Sequence, residues 1–369
     1  MIIIAFISLF VIALLGLVYL LNRFHRFECI RKIGQERKLL SWLLAALPIL
    51  VIVLFFFIKT VSTTIFVLHL MVFWLLCDSV SLLVRKIRGQ DFKRYYAGAC
   101  AIFITVAYLA VGWYNCHHVY QTEYEVKTEK SIGEQSLRVV QISDSHVGST
   151  FDGKGFGEYV KEIQKTNPDV VVITGDYVDD DTSKADMVAS CRALGKLNTT
   201  YGIYFVFGNH DKGYFNHRDF TEETLRQELE NNHVRILEDE SVLIDNRFYI
   251  VGRQDRSVAN RADMKSLTKA LDTSKYMIVL DHQPHDFDEQ AETGVDLVLA
   301  GHTHGGQLFP IGITGVLSGE YDRAYGIEKR GDTAFIVSSG ISDWAIPFKT
   351  ATFSEYVVID IAAENTVQK

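Results

Sequence analysis

The sequence predicts an α/β domain over residues 137–369, an all-α membrane region of four helices over 1–115, and a linker at 116–136. Three observations predict this. Four long apolar runs crowd the first third of the chain. After Ser136, short β-branched runs alternate with amphipathic stretches. The charge also changes sign between the two parts.

Residues 1–116 hold 12 Lys+Arg against 4 Asp+Glu, whereas residues 117–369 hold 25 against 41, a net of −16 in a chain whose total is −8. Phosphate-backbone binding relies on clustered Lys and Arg, so an acidic domain is a poor partner for a polyanion and nucleic acid is discounted. The five cysteines form no disulfide framework. Cys29, Cys77, Cys100 and Cys116 lie in or near the apolar runs, and only Cys191 falls well inside the acidic part.

The apolar runs are Ile2–Leu21, Leu39–Ile58, Val61–Val84 and Tyr95–Trp113. Each approaches or passes the ~20 residues that span a bilayer core. Buried helices of a soluble protein would not cluster at one end with so few polar positions. A cleaved signal peptide would carry positive charge before its apolar run, and Met1–Phe10 carries none. Loop charges set the expected orientation. Asn22–Lys38 contains Arg23, Arg26, Arg31, Lys32, Arg37 and Lys38, and Arg85–Arg94 contains five more basic residues, whereas the connection after the second run holds only Lys59. The positive-inside rule puts the two basic loops in the cytoplasm. The chain is then a multi-pass protein of the cell (inner) membrane with its α/β domain extracytoplasmic. His69 and Asp78 lie within the third run, but with no repeat or partner carboxylate they read as structural rather than as a transport path. Trp113, Tyr114 and Tyr120 read as interfacial anchors.

In the acidic part the strand-like runs are Leu137–Ile142, Asp169–Thr174, Gly202–Phe207, Tyr276–Leu280 and Val295–Ala300, with a strand–turn–strand cluster at Val234–Gly252 and further strands at Ala334–Ser338 and Ala351–Ile361. Helices are expected at Gly155–Thr166, Ser183–Leu197, Thr221–Asn231 and Asp263–Leu271. Near-continuous apolar strands imply burial on both faces, hence a sheet core with helices outside. The residues just past the end of each core strand carry the chemistry. Ile142 leads into Ser143-Asp144-Ser145-His146, Thr174 into Gly175-Asp176, and Phe207 into Gly208-Asn209-His210-Asp211. Leu280 leads into Asp281-His282, and Ala300 into Gly301-His302-Thr303-His304-Gly305-Gly306. The C-terminal edge of such strands is where ligands bind.

Imidazole, carboxylate and amide oxygen suit Mn, Fe or Zn. Two divalent metals ~3.5–4 Å apart can activate a shared water and clamp both oxygens of a displacement at phosphorus. A carboxylate such as Asp176 has two oxygens and can bridge them. Each motif alone is weak; all five in order, each after a strand, make a strong signal.

These motifs resemble the calcineurin-like metallophosphoesterases, whose pattern runs Asp-x-His, Gly-Asp, Gly-Asn-His-Asp/Glu, His, Gly-His-x-His. The match spans residues 137–361, and Gly301–Gln307 is similar to the membrane-associated bacterial branch. The resemblance implies a four-layer αββα sandwich. It implies that Asp144, His146, Asp176 and His304 hold one divalent metal and that Asp176, Asn209, His282 and His302 hold the other. His210 would face the phosphate, with Asp211 orienting it. The expected activity is hydrolysis of a phosphodiester, pyrophosphate or phosphomonoester through a metal-bridging hydroxide. A site beside the bilayer favours an amphiphilic, lipid-linked substrate, with membrane lipid as the other partner. Some relatives cleave the pyrophosphate of a lipid-precursor UDP-sugar, which the outward orientation speaks against.

Two other readings compete. A non-catalytic metal-binding scaffold would have shed ligands, and all are intact here. A hydrolase serving as the output of a membrane sensor would use the four helices for more than anchoring. Among the remaining residues, His285 either touches substrate or packs the following helix, Asp281 orients a neighbour, and Gly252–Arg256 either reaches a phosphate or forms a surface turn. His217 and His233 read as helix-surface residues, His117 and His118 as interfacial, and Asn198-Thr199-Thr200 as a chance sequon. The orientation is directly testable: a reporter that works only after export, fused behind Lys369, is expected to be active. Activity of a cytoplasm-only reporter at the same position would reverse the topology.

Overall fold

The computed structural model describes residues 2–90, 92, 94–132, 136–214 and 217–363. Lys93 of the second basic loop lies outside these residues, as do 133–135 of the expected linker and 364–369 at the end of the expected domain. Two compact units divide the chain, Met1–Val111 and Gly112–Lys369.

Four helices are long and apolar enough to cross a membrane: α1 (Ile2–Phe24), α3 (Lys38–Phe56), α4 (Thr60–Arg88) and α5 (Tyr96–His117). A shorter amphipathic helix, α2 (Glu28–Glu36), occupies the stretch whose charges alone suggest a plain basic loop. In the first unit Leu20, Ala45, Leu70, Trp74 and Ala101 are buried against one another. Leucines and valines such as Leu47, Leu54, Leu76 and Val106 face outward, the reverse of a soluble bundle. Asp78 is partnered: Tyr95 Oη donates to Oδ1 at 2.7 Å, Trp74 Nε1 donates to Tyr95 Oη at 2.7 Å, and Arg23 Nε lies 3.1 Å from Oδ2.

The second unit contains twelve strands among its described residues: β1 (Val119–Thr128), β2 (Leu137–Ile142), β3 (Val170–Thr174), β4 (Ile203–Val206), β5 (Val234–Ile236), β6 (Glu240–Ile244), β7 (Phe248–Gly252), β8 (Tyr276–Leu280), β9 (Leu297–Ala300), β10 (Gly326–Arg330), β11 (Thr333–Val337) and β12 (Ser354–Ala363). They form two six-stranded sheets, ordered β1-β12-β2-β3-β4-β5 and β10-β11-β9-β8-β7-β6. Both are mixed. β2 to β5 run parallel, as do β7, β8, β9 and β11, while β12 meets β2, β6 meets β7 and β10 meets β11 antiparallel.

Helices α6 (Gly153–Lys165), α7 (Lys184–Leu194) and α8 (Glu222–Asn231) cover the first sheet. The short helices α9 (Met264–Thr268) and α10 (Phe287–Ala291) cover the second, and α11 (Ile311–Ser318) follows a 3₁₀ turn at His304–Gly306. Side-chain alternation sets the layers. In β3, Val171 and Ile173 face α6 to α8 through Phe156, Met187 and Leu225, whereas Val170 and Val172 face Ile250, Ile278 and Leu299 of the other sheet. In β8, Met277 and Val279 turn outward to Met264 and Phe287. The result is the expected four-layer αββα sandwich.

Four helices start on side-chain caps legible in the sequence. Asp152 accepts from Gly155 N, Ser183 from Asp186 N, Thr221 from Thr224 N and Asp263 from Ser266 N. The stretch 116–136, expected as a linker, instead carries β1, which pairs in parallel with β12 over Val119–Thr128. Its alternating polar residues suit an edge strand with one exposed face.

Ile278, fully buried between the sheets, offers a direct test of this packing. Ile278→Ala is expected to cost about 2–5 kcal/mol in denaturant unfolding. Leu243→Ala, at a 39% exposed position on edge strand β6, should stay within ~0.5 kcal/mol of the parent.

Candidate metal centre

The turns after β2, β3, β4, β8 and β9 bring the predicted residues together. Ligand atoms of Asp144, His146 and His304 lie within 4.8 Å of one another, as do those of Asp176, His282 and His302. The two groups meet at Asp176, whose Oδ2 lies 3.1 Å from His282 Nε2 and 3.8 Å from His146 Nε2. Asn209 Oδ1 joins the second group, 3.1 Å from His282 Nε2, while its Nδ2 donates to Tyr214 Oη at 2.7 Å. That bond turns the amide oxygen toward the histidines.

The backbone is bent to achieve this. Asp144, His146, Asp176, His302 and His304 all have positive φ, between 35° and 70°. Non-glycine residues adopt this region rarely, and such conformations cluster at functional sites. The motif glycines follow from close approach. A Cβ on Gly208 would strike the Asp176 carboxylate and backbone N, and one on Gly301 would strike Ser143 Oγ and the Asp144 carboxylate.

Three histidines share one arrangement. His282 Nδ1 lies 2.8 Å from the Thr174 carbonyl oxygen, His146 Nδ1 3.3 Å from Asp179 Oδ2, and His304 Nδ1 3.2 Å from Asp343 Oδ1. A carbonyl or carboxylate there selects Nδ1–H, which leaves the Nε2 lone pair for a metal. Both ring nitrogens of His146 are buried and neither makes a hydrogen bond among the described residues, so Nδ1 faces Asp179 by proximity and Nε2 stays open. In the second group His282 Nε2 meets Asp176 Oδ2, Asn209 Oδ1 and, at 3.2 Å, His302 Nδ1. Lone pairs facing one another this closely fit a cation between them, and the donor set fits a divalent one. Burial works against protonation of His282, yet the charge of Asp176 and its hydrogen bond hold the pKa well above the usual imidazole value. His302 is lowered to about 4 by burial and then by His282.

Asp179 and Asp343 were not anticipated. Asp179 lies three residues past Asp176, so a second carboxylate soon after Gly-Asp was a readable signal; Asp343 lies on the loop after β11, far from every motif. Lys349 ties that loop down. Its buried Nζ donates to the carbonyls of Ser339, Gly340 and Ser342 at 2.6, 3.2 and 3.1 Å and lies 3.7 Å from Asp343 Oδ2.

His210 stands beside the ligand groups, its ring 5.2 Å from that of His146 and flanked by Tyr214 at 5.0 Å and Trp344 at 4.7 Å. Its backbone N–H donates to Asp176 Oδ1 at 2.8 Å. Burial lowers its pKa, against the pull of Asp176. Asp211 departs from expectation. Its hydrogen bonds among the described residues go not to the His210 ring but to backbone N–H groups of Asp176, Tyr177, Val178 and Gly208, at 2.7–3.0 Å. The reason is local: two turns present four otherwise unpaired donors, and one buried carboxylate satisfies them all. Burial, then the charge of Asp176, push its pKa up to about 7 against those N–H donors.

Arg253 is buried and donates to Asp281 Oδ2 at 2.9 Å, so it is committed to Asp281 rather than presented to a phosphate. Arg261 holds both oxygens of the same carboxylate, at 3.1 and 2.9 Å. The backbone carbonyl of His285 accepts from Gln290 of α10 at 2.9 Å.

A model of the calcineurin-like phosphoesterases matches residues 137–306. An uncharacterized metallophosphoesterase of Aquifex aeolicus is 31% identical over 270 residues, which cover 70% of this chain and 98% of that protein. The chain belongs to the calcineurin-like phosphoesterase family. It is a metal-dependent phosphoesterase, and the family implies divalent metal ions and phosphate-ester substrates. A transmembrane protein with a metallophosphoesterase domain from Danio rerio is 30% identical over 59% of this chain and 52% of its own length. Among solved structures, a dimetal phosphatase from Danio rerio is similar with a TM-score of 0.37 and 11% identity, over 56% of this chain and 88% of that one.

The carboxylates behind the histidines can be tested directly. Asp343→Asn keeps the shape but weakens the acceptor for His304 Nδ1–H. Metal affinity is expected to fall by about 10–100-fold in a calorimetric titration with unchanged circular dichroism.

Proposed function

We propose that this phosphoesterase is a membrane-anchored two-metal phosphohydrolase that cleaves a phosphodiester, pyrophosphate or phosphomonoester bond in an amphiphilic substrate. The observation that carries the reading is the pair of ligand groups joined at Asp176, with His210 beside them. Asp144, His146, Asp176 and His304 hold one ion; Asp176, Asn209, His282 and His302 hold the other. Mn, Fe and Zn all suit this donor set. When bound, two such ions supply Lewis-acid polarisation of the phosphoryl oxygens and lower the pKa of a nucleophilic water.

The chain's own groups supply the rest. The neutral His210 ring donates an N–H hydrogen bond to a phosphate oxygen as charge builds there. Asp211 acts by fixing the backbone of the Gly175-Asp176 and Gly208-Asn209 turns. Tyr214 and Trp344 form an aromatic rim that limits water at the His210 face.

An amphiphilic substrate is favoured by the segment just past the His304 turn. Phe309, Ile311, Ile313 and Leu317 on and beside α11 are exposed by about half or more. Apolar surface of this kind marks lipid or ligand contact in soluble domains. The basic loops argue for an extracytoplasmic site, and the acidic composition of the second unit argues against a nucleic-acid substrate.

The test uses full-length protein in nanodiscs, assayed with model mono- and diesters after loading with Mn, Fe or Zn. His210→Ala is expected to retain its metal by elemental analysis while turnover falls by about 10²–10⁴-fold. Undiminished turnover in that variant, or no hydrolysis by the parent with any of the three metals, would sink the reading.

A further inference from the structure

The first unit contains a feature that the hydrolase reading does not use. A cleft of about 620 Å³ opens at the end of the bundle where α1, α2 and α4 meet the segment before α5. Five arginines line it: Arg23, Arg26, Arg31, Arg85 and Arg94. Its described carboxylates are Asp78 and Glu28, and both are engaged. Asp78 accepts from Tyr95 and faces Arg23 at 3.1 Å. Glu28 lies 3.0 Å from Lys32 and 3.9 Å from Arg94. With Arg85 left aside, Asp78 and Glu28 still cannot balance the four other guanidinium groups.

The positive-inside rule accounts for basic residues at one end of a bundle. It does not account for their convergence on one concavity from separate segments, all as arginine. Guanidinium presents a planar fork of donors that matches phosphate, and it is more weakly hydrated than ammonium. The floor is ordered by the chain of contacts from Trp74 through Tyr95 and Asp78 to Arg23. The lip is apolar, since Leu82 lines the cleft and is 60% exposed. The volume lies within the ~300–1,000 Å³ of ligand clefts.

We propose that this cleft binds the phosphate group of an anionic ligand, either the head group of an anionic phospholipid or a free phosphate compound. Basic pockets between membrane helices recognise such groups by the same chemistry.

The full-length chain in phosphatidylcholine nanodiscs allows a test. In one arm phosphatidylglycerol is doped into the disc and its retention read by native mass spectrometry. In the other, inorganic phosphate or glycerol 3-phosphate is added to discs without it, and binding is read by calorimetry. The triple variant Arg26→Gln, Arg31→Gln, Arg94→Gln removes three cleft charges at exposed positions. The control Arg37→Gln, Lys38→Gln, Lys86→Gln removes three exposed basic residues that do not line the cleft. Diffuse surface attraction of basic residues would fall equally for both. Occupancy of the cleft predicts a loss of about tenfold or more for the first triple and less than about twofold for the second, a tenfold change being ~1.4 kcal/mol. Retention of phosphatidylglycerol alone assigns the lipid source, and binding of a soluble phosphate assigns the free one. Equal losses in the two triples, or no binding in either arm, would overturn the proposal. Unfolding temperatures of all variants verify the fold. If the triple variant is destabilised, Arg31→Gln alone carries the comparison.

Discussion

The Asp176 carboxylate lies where both ligand groups meet, and each of its oxygens has a distinct duty. Oδ2 faces His282 and His146 at 3.1 and 3.8 Å, while Oδ1 accepts the His210 backbone N–H. One side chain thereby fixes the spacing of the two groups and the position of the turn that carries Asn209 and His210. Its own position is over-determined. The backbone is left-handed at φ 51°, Gly208 leaves room for the carboxylate, and Asp211 holds the Asp176 N–H. A shift of the β3 turn would therefore disturb both groups together, which is the kind of preorganisation a phosphoryl-transfer site requires.

Around this point the second unit buries many charges, and several are held by identifiable partners. Asp211 takes four backbone N–H groups, Asp281 takes Arg253 and Arg261, and Lys349 takes three carbonyls. Isolated, any of these would cost several kcal/mol. Together they convert flexible turns into fixed ones. Lys349 is the clearest case, because the loop it holds delivers Asp343 to His304 and Trp344 to His210.

Much of this was legible in the sequence because two patterns are strong. Short, near-continuous apolar runs such as Val170–Thr174 located the core strands, and Asp, Asn or His at five strand ends located the site. The amphipathic stretches located α6 to α9, with the α6 start placed two residues late, at Gly155 rather than Gly153. The failures have physical reasons. β1 is half-exposed and charged, so it reads as a linker until β12 is known to lie beside it. β10 is similarly polar. Asp179 and Asp343 act through a histidine on another turn, a relation that only the fold creates. The family resemblance implied that Asp211 orients His210, but the N–H groups of the Asp176 and Gly208 turns take that carboxylate instead.

The energetics of the centre favour a cation for the same reason that they make the site costly without one. Asp144, Asp176, Asp179 and Asp343 are all buried, and His146, His282 and His304 have their outer nitrogens within 3.3 Å of a carboxylate or carbonyl oxygen. Protons can substitute in part, and the carboxylates do hold His146 and His282 above the usual imidazole pKa despite burial. A proton on one ring leaves the remaining lone pairs facing each other, whereas a divalent ion satisfies several at once. Metal binding and the stability of these turns are therefore coupled. The left-handed backbone at Asp144, His146, Asp176, His302 and His304 sits on turns that leave the ends of the sheet strands, and those strands hold it.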